Sequence, residues 1–221
     1  MGNLLKVPHI KQPKNSPKCG AACAAMLIEY YTDKKVGVDA IWPFVKAISP
    51  ELNREYCRTN KIGQYISNHH FPCCIVKYEN LKDFLIFCNT NEIAPILNHK
   101  SFSDGTGGHF SVVKNISNNT VIINDPEKKG SVPVQVKILA ALSHKDGRQD
   151  EVGGNTAIVS IMEDFADKSR PCPDCGNPID TSFSTVANAN GSIVLEELCF
   201  HCDKYFPLEV PTTNAHSQFD D

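Results

Sequence analysis

The sequence predicts an α+β fold, in which N-terminal helices pack on an antiparallel sheet and a small zinc ribbon follows. Three observations predict it. Apolar residues recur with helical spacing up to about residue 90, short alternating segments continue to residue 162, and two Cys-x-x-Cys pairs lie beyond residue 171. Helices followed by a run of strands are typical of α+β proteins. We therefore expect a first domain at residues 1–165, a ribbon at residues 171–210 and a disordered tail at residues 211–221.

The clearest predicted helix runs from Pro17 to Thr32, with a proline in the first turn, where proline is tolerated. Its apolar residues share one face: Cys19, Ala22, Cys23, Met26, Leu27 and Tyr30. This face predicts that the helix docks on a core and that Cys19 lies in its first turn. Further helices are predicted over residues 38–47, from residue 59 and over residues 81–88.

The pattern changes after Asn91, where apolar runs become short and alternate with polar residues. These runs predict strands over residues 93–97, 109–113, 120–123 and 156–162, arranged as an antiparallel meander. Asn118-Asn119 predicts a turn between two of them. Residues 134–142 are predicted as a helix, residues 144–154 as a surface loop and residues 163–171 as a linker.

The C-terminal unit contains two knuckles of the zinc-ribbon type. Each Cys-x-x-Cys places two sulfurs on one tight turn, and four thiolates complete a tetrahedron around one structural Zn²⁺. The predicted ligands are Cys172, Cys175, Cys199 and Cys202. Alternation on both sides of Asn190-Gly191 predicts a hairpin over residues 182–198 that brings the knuckles together. Two disulfides are the alternative, which a reducing compartment disfavours.

Composition narrows the functional classes. The 221 residues carry a net charge of −3 and no basic patch, so we expect no nucleic-acid partner. The chain has no apolar stretch as long as a membrane span, and its N-terminus lacks the apolar region of a signal peptide. Ten cysteines with two Cys-x-x-Cys pairs favour reduced thiols. We therefore expect a soluble cytoplasmic protein, with signal-independent export as an effector as the alternative.

Cys19 is the candidate nucleophile. A helix N-terminus and a preceding Lys18 both lower the pKa of a thiol, and Gly20 leaves the backbone beside the sulfur uncrowded for a substrate carbonyl. His109 begins a strand after a glycine-rich loop, and Asp125 ends the next strand. Neighbouring antiparallel strands set these two side chains side by side, so Asp125 can orient the imidazole.

Gln12 lies seven residues before Cys19, where its amide can donate to an oxyanion together with the Cys19 backbone N–H. Other interpretations of these residues are open. A cysteine on an apolar helix face is often a core residue, as we expect for Cys23, and Asp125-Pro126 is also a turn-initiating pair. We interpret His69-His70 and Cys73-Cys74 as structural, because adjacent strand residues point to opposite faces.

The motifs occur together in a fixed order: Gln12, Cys19-Gly20-Ala21-Ala22-Cys23-Ala24-Ala25-Met26, Ala94-Pro95-Ile96, Gly108-His109-Phe110-Ser111-Val112-Val113 and Asn124-Asp125-Pro126. They resemble the bacteriocin-processing peptidases, family 39 of the cysteine peptidases, over about residues 7–162. The resemblance implies a papain-like fold and cleavage of leader peptides after a Gly-Gly pair. It implies that Cys19 is the nucleophile, His109 the general base and acid, Asp125 the orienting group and Gln12 the oxyanion donor. Family members are usually fused to a membrane transporter and lack a zinc ribbon.

These observations predict a cysteine peptidase that cleaves a protein or peptide substrate through a thioester at Cys19, with a small residue or glycine before the scissile bond. Two alternatives differ in function. A papain-like site also supports deamidation, acyl transfer or hydrolysis of other amides. The second alternative is an inactive peptidase fold that serves as a binding module and binds its partner through the ribbon. The substrate, the pathway and the oligomeric state are not predicted.

Overall fold

The structure is a computed structural model that describes residues 4–49, 53–103, 105, 107–144, 154–161 and 168–208. Within these ranges the helices are α1 (Cys19–Thr32), α2 (Val38–Val45), α3 (Thr59–His69), α4 (Leu81–Thr90), α5 (Val136–Ser143) and α6 (Ser182–Ala187). The strands are β1 (Lys46–Ser49), β2 (Arg54–Cys57), β3 (Cys73–Tyr78), β4 (Ile96–Lys100), β5 (Gly108–Ser117), β6 (Thr120–Asn124), β7 (Ser131–Gln135), β8 (Thr156–Ser160), β9 (Ser169–Pro171), β10 (Pro178–Asp180), β11 (Val194–Cys199) and β12 (Lys204–Pro207). The predicted disordered tail at residues 211–221 lies outside the described residues, as does most of the predicted loop at residues 144–154.

One eight-stranded sheet organises the molecule. Its strand order is β12-β11-β3-β8-β4-β5-β6-β7, and every neighbouring pair is antiparallel. Strands β4, β5 and β6 form the predicted meander in chain order, and the unpredicted β7 continues it. The strand predicted at residues 156–162 does not follow β6 in the sheet but lies as β8 between β3 and β4. The predicted α+β class, with N-terminal helices on an antiparallel sheet, is confirmed.

The sheet separates two apolar clusters. One cluster packs beneath α1, α2 and α3, and the other packs beneath α4, α5 and α6. Neighbouring residues of one strand alternate between the clusters, so Cys73 lies in the first and Cys74 in the second. The prediction that this adjacent pair points to opposite faces is therefore confirmed.

Helix α1 is central to the first cluster. Its first ten residues, from Cys19 to Ile28, are all buried, although its sequence predicts only one apolar face. Many of these residues are alanine or glycine, so neighbouring elements can approach the helix from several sides. The helix ends where Asp33 adopts a left-handed conformation and its N–H donates to the Glu29 carbonyl.

Several boundaries differ from the predicted ones because the chain turns into unpredicted strands. The predicted helix at residues 38–47 ends at Val45, and β1 follows and pairs with β2. The predicted helix at residues 134–142 begins at Val136, because residues up to Gln135 pair with β6. The predicted strand at residues 93–97 begins only at Ile96.

The predicted hairpin over residues 182–198 is wrong. Residues Ser182–Ala187 form α6, and only β11, beyond the Asn190-Gly191 turn, is a strand. Tertiary packing explains the difference, because the ring of Phe183 lies edge-on to the ring of Phe87 beneath the sheet. The Asn188 side chain then accepts from two backbone N–H groups and donates to the Val194 carbonyl, which directs the chain into β11.

The C-terminal segment contributes directly to the main sheet. Strand β11 pairs with β3 through Glu197 opposite Val76, and β12 pairs with the other edge of β11. Strands β9 and β10 form a separate two-stranded sheet beside this edge. The division of the chain at residues 165–171 stays a prediction, since strand pairing crosses it.

Candidate active site

Three elements bring the predicted triad together. Cys19 is the first residue of α1, His109 is the second residue of β5, and Asp125 directly follows β6. The β5–β6 pairing sets His109 and Asp125 side by side, and His109 Nε2 lies 2.8 Å from Asp125 Oδ1. The Cys19 thiol is near enough to the His109 ring to contribute to the raised pKa of His109. Because Nε2 is engaged by Asp125, Nδ1 is the ring nitrogen that remains for the thiol.

The Asp125 segment is held by the N-terminal residues of the chain. His9 Nε2 donates to the Asp125 backbone carbonyl at 2.9 Å, and the Gln12 backbone N–H donates to the Pro126 carbonyl at 3.0 Å. The carboxylate itself accepts a bond of 2.9 Å from the Glu127 N–H. These contacts fix the oxygen that His109 faces.

The electrostatics favour a charged His109–Asp125 pair. Burial lowers the pKa of His109, but the hydrogen bonds to Asp125 and Cys19 outweigh burial and raise it to about 10. Burial raises the pKa of Asp125, yet the hydrogen bond to His109 holds it below its ordinary value. An imidazolium beside Cys19 is therefore stable across neutral pH.

A second thiol, Cys57 at the end of β2, lies beside Cys19. Its Sγ donates to the Pro17 carbonyl at 3.2 Å. The hydrogen bond between the two thiols lowers the pKa of Cys57, and this bond together with burial raises the pKa of Cys19, against the pull of His109. Two interacting thiols lose their protons as a pair, so the first thiolate forms readily and the second does not.

Gly20 has a different role from the predicted one. A Cβ atom at this position would lie 2.4 Å from Ile62 Cδ1 and 2.8 Å from Cys57 Cβ. The backbone beside Cys19 is therefore crowded, and the prediction that Gly20 leaves it open to a substrate carbonyl is wrong. Gly20 instead allows α1 to contact α3 and β2 closely.

Comparison with known proteins decides the family. A model of the peptidase C39 family matches residues 6–141, which is more than half of the chain. The chain belongs to the peptidase C39 family. It is a cysteine peptidase, as the resemblance in its motifs predicts. No curated protein sequence matches it.

The solved structures that match this chain include peptidases and a protease. A C39-like peptidase from Bacillus anthracis matches with a TM-score of 0.55 and 15% identity, over 73% of this chain and 97% of that one. The peptidase domain of Streptococcus ComA, a bifunctional ABC transporter of a quorum sensing pathway, matches with a TM-score of 0.51 and 14% identity, over 71% and 99%. A double glycine motif protease from an AMS/PCAT transporter, solved with its leader peptide, matches with a TM-score of 0.49 and 20% identity, over 72% and 95%. The family match, together with the two structures whose TM-scores exceed 0.5, confirms the papain-like fold predicted for this C39 peptidase.

Gln12 is buried in the C39 peptidase near the Asp125 segment. Its Nε2 donates to the Ser16 carbonyl at 2.8 Å, and its Oε1 finds no hydrogen-bond partner among the described residues. A primary amide has two N–H donors, so one remains beyond the bond to Ser16. The oxyanion role of Gln12 stays a prediction.

His99 on β4 lies beneath the site and was missed by sequence reasoning. Its ring centroid is 5.3 Å from that of His109, and its nitrogens contact the Ser111 hydroxyl and the Lys100 carbonyl. Burial and the neighbouring His109 lower its pKa to about 4, so it stays neutral and packs against the charged ring. Its sequence context contains no signal of this role, because it depends on the pairing of β4 with β5.

The four predicted metal ligands converge at the C-terminal end of the C39 peptidase. The sulfurs of Cys172, Cys175, Cys199 and Cys202 all lie within 4.8 Å of one another. The residue after each knuckle, Gly176 or Asp203, has a positive φ, and its N–H donates back to the carbonyl of the first cysteine. The two knuckles thus share one geometry, and the cluster can hold a metal ion.

In the described ranges, none of the helices combines the length and the apolar character that crossing a membrane requires.

Proposed function

We propose that this C39 peptidase cleaves a peptide bond through a Cys19–His109–Asp125 triad. Cys19 attacks the scissile carbonyl as a thiolate, and the imidazolium of His109 then protonates the leaving amine. Asp125 holds the ring with Nδ1 toward the sulfur. The position of His109 supports this assignment: Cys57 and burial raise the pKa of Cys19, and His109 is the neighbour that lowers it. Water then hydrolyses the thioester with His109 as the base.

The oxyanion formed by this attack must be stabilised by hydrogen-bond donors. We propose that the Cys19 backbone N–H and the second N–H of Gln12 supply them. Burial of Gln12 near the triad supports this role. Replacing Gln12 by Ala is expected to lower kcat by about 10²-fold. A fall in kcat below twofold would exclude Gln12 as a donor.

We propose that the substrate is a peptide or protein cut after a Gly-Gly pair. Family membership supports this preference, and so does burial of the site. Cys19 is only 7% exposed and His109 only 3%, so a carbonyl flanked by large side chains meets a steric barrier. Two glycines carry no Cβ and allow the backbone to approach the sulfur closely.

The placement of His109 between Cys19 and Asp125 carries this proposal. The test is cleavage of matched peptides that contain Gly-Gly, Gly-Ala or Ala-Ala before the scissile bond. We expect cleavage of the Gly-Gly peptide alone by the intact chain and no cleavage by a Cys19→Ala variant. Cleavage by that variant would overturn the role of Cys19, and equal cleavage of all three peptides would overturn the glycine preference. Products with a mass gain of one unit or an acyl adduct, instead of new termini, would favour deamidation or acyl transfer.

We propose that the four-cysteine cluster holds one structural Zn²⁺. A tetrahedral ion with metal–sulfur bonds of about 2.3 Å places its sulfurs about 3.8 Å apart. The Cys172–Cys202 and Cys175–Cys199 sulfur pairs are each 3.7 Å apart. Hydrogen bonds from Asn177 lower the pKa of Cys175 to about 6, so one ligand is already a thiolate at neutral pH. The donor set thus fits zinc.

The zinc-bound segment completes one edge of the peptidase sheet, through β11 and β12. We propose that it forms a ribbon unit at residues 171–210 beside a peptidase unit at residues 1–165. We also propose a cytoplasmic location, because four metal-binding thiolates are best maintained in a reducing compartment.

A further inference from the structure

Cys57 is a thiol of the active site that the proposed cleavage reaction does not consume. A Cβ atom on Gly20 would lie 2.8 Å from Cys57 Cβ and 3.0 Å from Cys57 Sγ. Cys57 therefore packs against the residue next to Cys19, and its Sγ lies 3.2 Å from the Pro17 carbonyl on the other side of Cys19. Both thiols have the same small exposure of 7%. A small oxidant that reaches one sulfur is therefore beside the other.

The N-terminus of α1 points at this second sulfur. The N-cap residue Lys18 provides no side-chain acceptor for the first N–H groups of the helix. The first turn of α1 lies against the Cys57 side chain, and after the interaction with Cys19 its backbone N–H groups at Ala21 and Gly20 help to lower the pKa of Cys57. Helix N-termini stabilise thiolates, because unpaired N–H groups and the helix dipole face the sulfur.

The other thiols near the site are less suited to react. Six cysteines lie outside the metal cluster, all within the described residues, and the pKa is lowered only at Cys57. Burial raises the pKa of Cys23, which lies one turn further along α1 and has no exposed surface. Cys73 is also buried and donates its thiol proton to the Gly63 carbonyl at 3.1 Å.

We propose that Cys19 and Cys57 form a hydroperoxide-responsive dithiol site, in which oxidation joins the two sulfurs in a disulfide and stops the peptidase reversibly. The loss of activity rests on the proposed role of Cys19, whereas formation of the disulfide does not.

The chemistry balances in two steps. After the thiol pair has lost one proton, the Cys19 sulfur attacks one oxygen of the hydroperoxide, the O–O bond breaks, and the leaving hydroxide or alkoxide takes a proton. Cys19 is then a sulfenic acid. The Cys57 sulfur attacks the Cys19 sulfur, the S–O bond breaks, and hydroxide leaves with the Cys57 proton as water. The two thiols lose two electrons and two protons, which the peroxide accepts, and a dithiol reductant reverses the change.

The second thiol also protects Cys19 from irreversible oxidation. Without a second thiol nearby, a sulfenic acid is oxidised further to sulfinic acid, which thiol reductants do not reverse. With Cys57 in contact, the disulfide forms first. We therefore expect recovery of activity after oxidation to depend on Cys57.

The experiment treats the full chain with hydrogen peroxide, blocks free thiols with an alkylating reagent and digests the chain without reductant. Mass spectrometry should find a peptide that links Cys19 to Cys57 as the main oxidised species. Cleavage activity, compared with the untreated sample of the same variant, should be lost and then regained with dithiothreitol. In Cys57→Ser we expect sulfinic acid at Cys19 and roughly tenfold less recovery. The matched control is Cys88→Ser, because Cys88 is buried on the opposite side of the sheet and should leave the linked peptide unchanged.

Mapping the oxidised cysteines of the intact chain tests the proposal even if Cys57→Ser does not fold. A disulfide between Cys19 and Cys23, or sulfinic acid at Cys19 with no linked peptide, would overturn it. Equal recovery in the intact chain and in Cys57→Ser would also overturn it. A linked peptide in a chain that cleaves no substrate would instead support the dithiol site and reject the proposed peptidase role of Cys19.

Discussion

Glu197 on β11 should make the stability of the chain fall as pH rises. Its side chain is fully buried, and its Oε2 accepts a hydrogen bond of 2.7 Å from the Ser184 hydroxyl. Its Oε1 has no hydrogen-bond partner among the described residues. Burial therefore raises the pKa of Glu197 from an ordinary value of 4.5 to about 8, against the opposing effect of the Ser184 bond. The acid is neutral in the folded chain at neutral pH.

Proton linkage gives the direction and the magnitude of this change in the free energy of unfolding with pH. Between pH 4.5 and 8 the folded chain holds a proton that the unfolded chain has released. The free energy of unfolding therefore falls by about 1.4 kcal/mol for each pH unit in this window, or roughly 4 kcal/mol from pH 5 to pH 8. Glu197→Gln does not titrate, yet it retains the shape and an oxygen acceptor for Ser184.

The assay is urea unfolding of the intact chain and of Glu197→Gln at pH 5, 6, 7 and 8. We expect the variant to gain stability relative to the intact chain as pH rises. Glu196→Gln is the matched control, because Glu196 is the adjacent residue and pairs with Lys77 at the surface. A difference between the intact chain and Glu197→Gln that stays constant over this range would refute a protonated Glu197.

Three other perturbations test the site and the fold. Asp125→Asn removes the charge that raises the pKa of His109, so kcat/KM should fall about 10- to 100-fold and the alkaline limb of the pH–rate profile should move to lower pH; an unmoved limb would contradict this role. Gly20→Ala should reduce the free energy of unfolding by about 1–3 kcal/mol in denaturant titration, because the new methyl group overlaps Ile62 and Cys57; unchanged or higher stability would show that α3 can yield. Removal of the metal with a chelator should lower the Tm of the whole chain, since β11 joins the ribbon to the peptidase sheet; metal release at a constant Tm would show that the two units unfold independently.

The order and type of the main elements could be predicted because local patterns encode them. The periodicity of α1 and the alternation of β5 and β6 each lie within one short segment, and the structure contains all three. The knuckles were equally local, since the spacing of Cys172 and Cys175 alone predicts a turn with two sulfurs. The hairpin at Asn190-Gly191 was predicted by the same kind of rule and was wrong, because residues 182–187 form α6, in which Phe183 is buried against Phe87.

The candidate site was predictable only in part. His109 and Asp125 lie on consecutive strands, so one strand pairing suffices to place them together. Cys57 is 38 positions from Cys19, on a short strand without a clear apolar pattern, and it reaches the site only through the packing of β2 against α1. His99 needs the pairing of β4 with β5, and Glu197 needs the pairing of β11 with β3.

By itself, the sequence determined the α+β class, the helix that opens with Cys19, the family resemblance and the four clustered cysteines. These features are carried by short spacings, which act through local geometry and side-chain chemistry. Only the tertiary structure decided that a second thiol lies beside Cys19, that Gly20 is a packing position and that the C-terminal segment extends the peptidase sheet. Those features depend on contacts between segments that are distant in the sequence. Their contribution to stability and reactivity is set by burial in the folded chain and not by residue type.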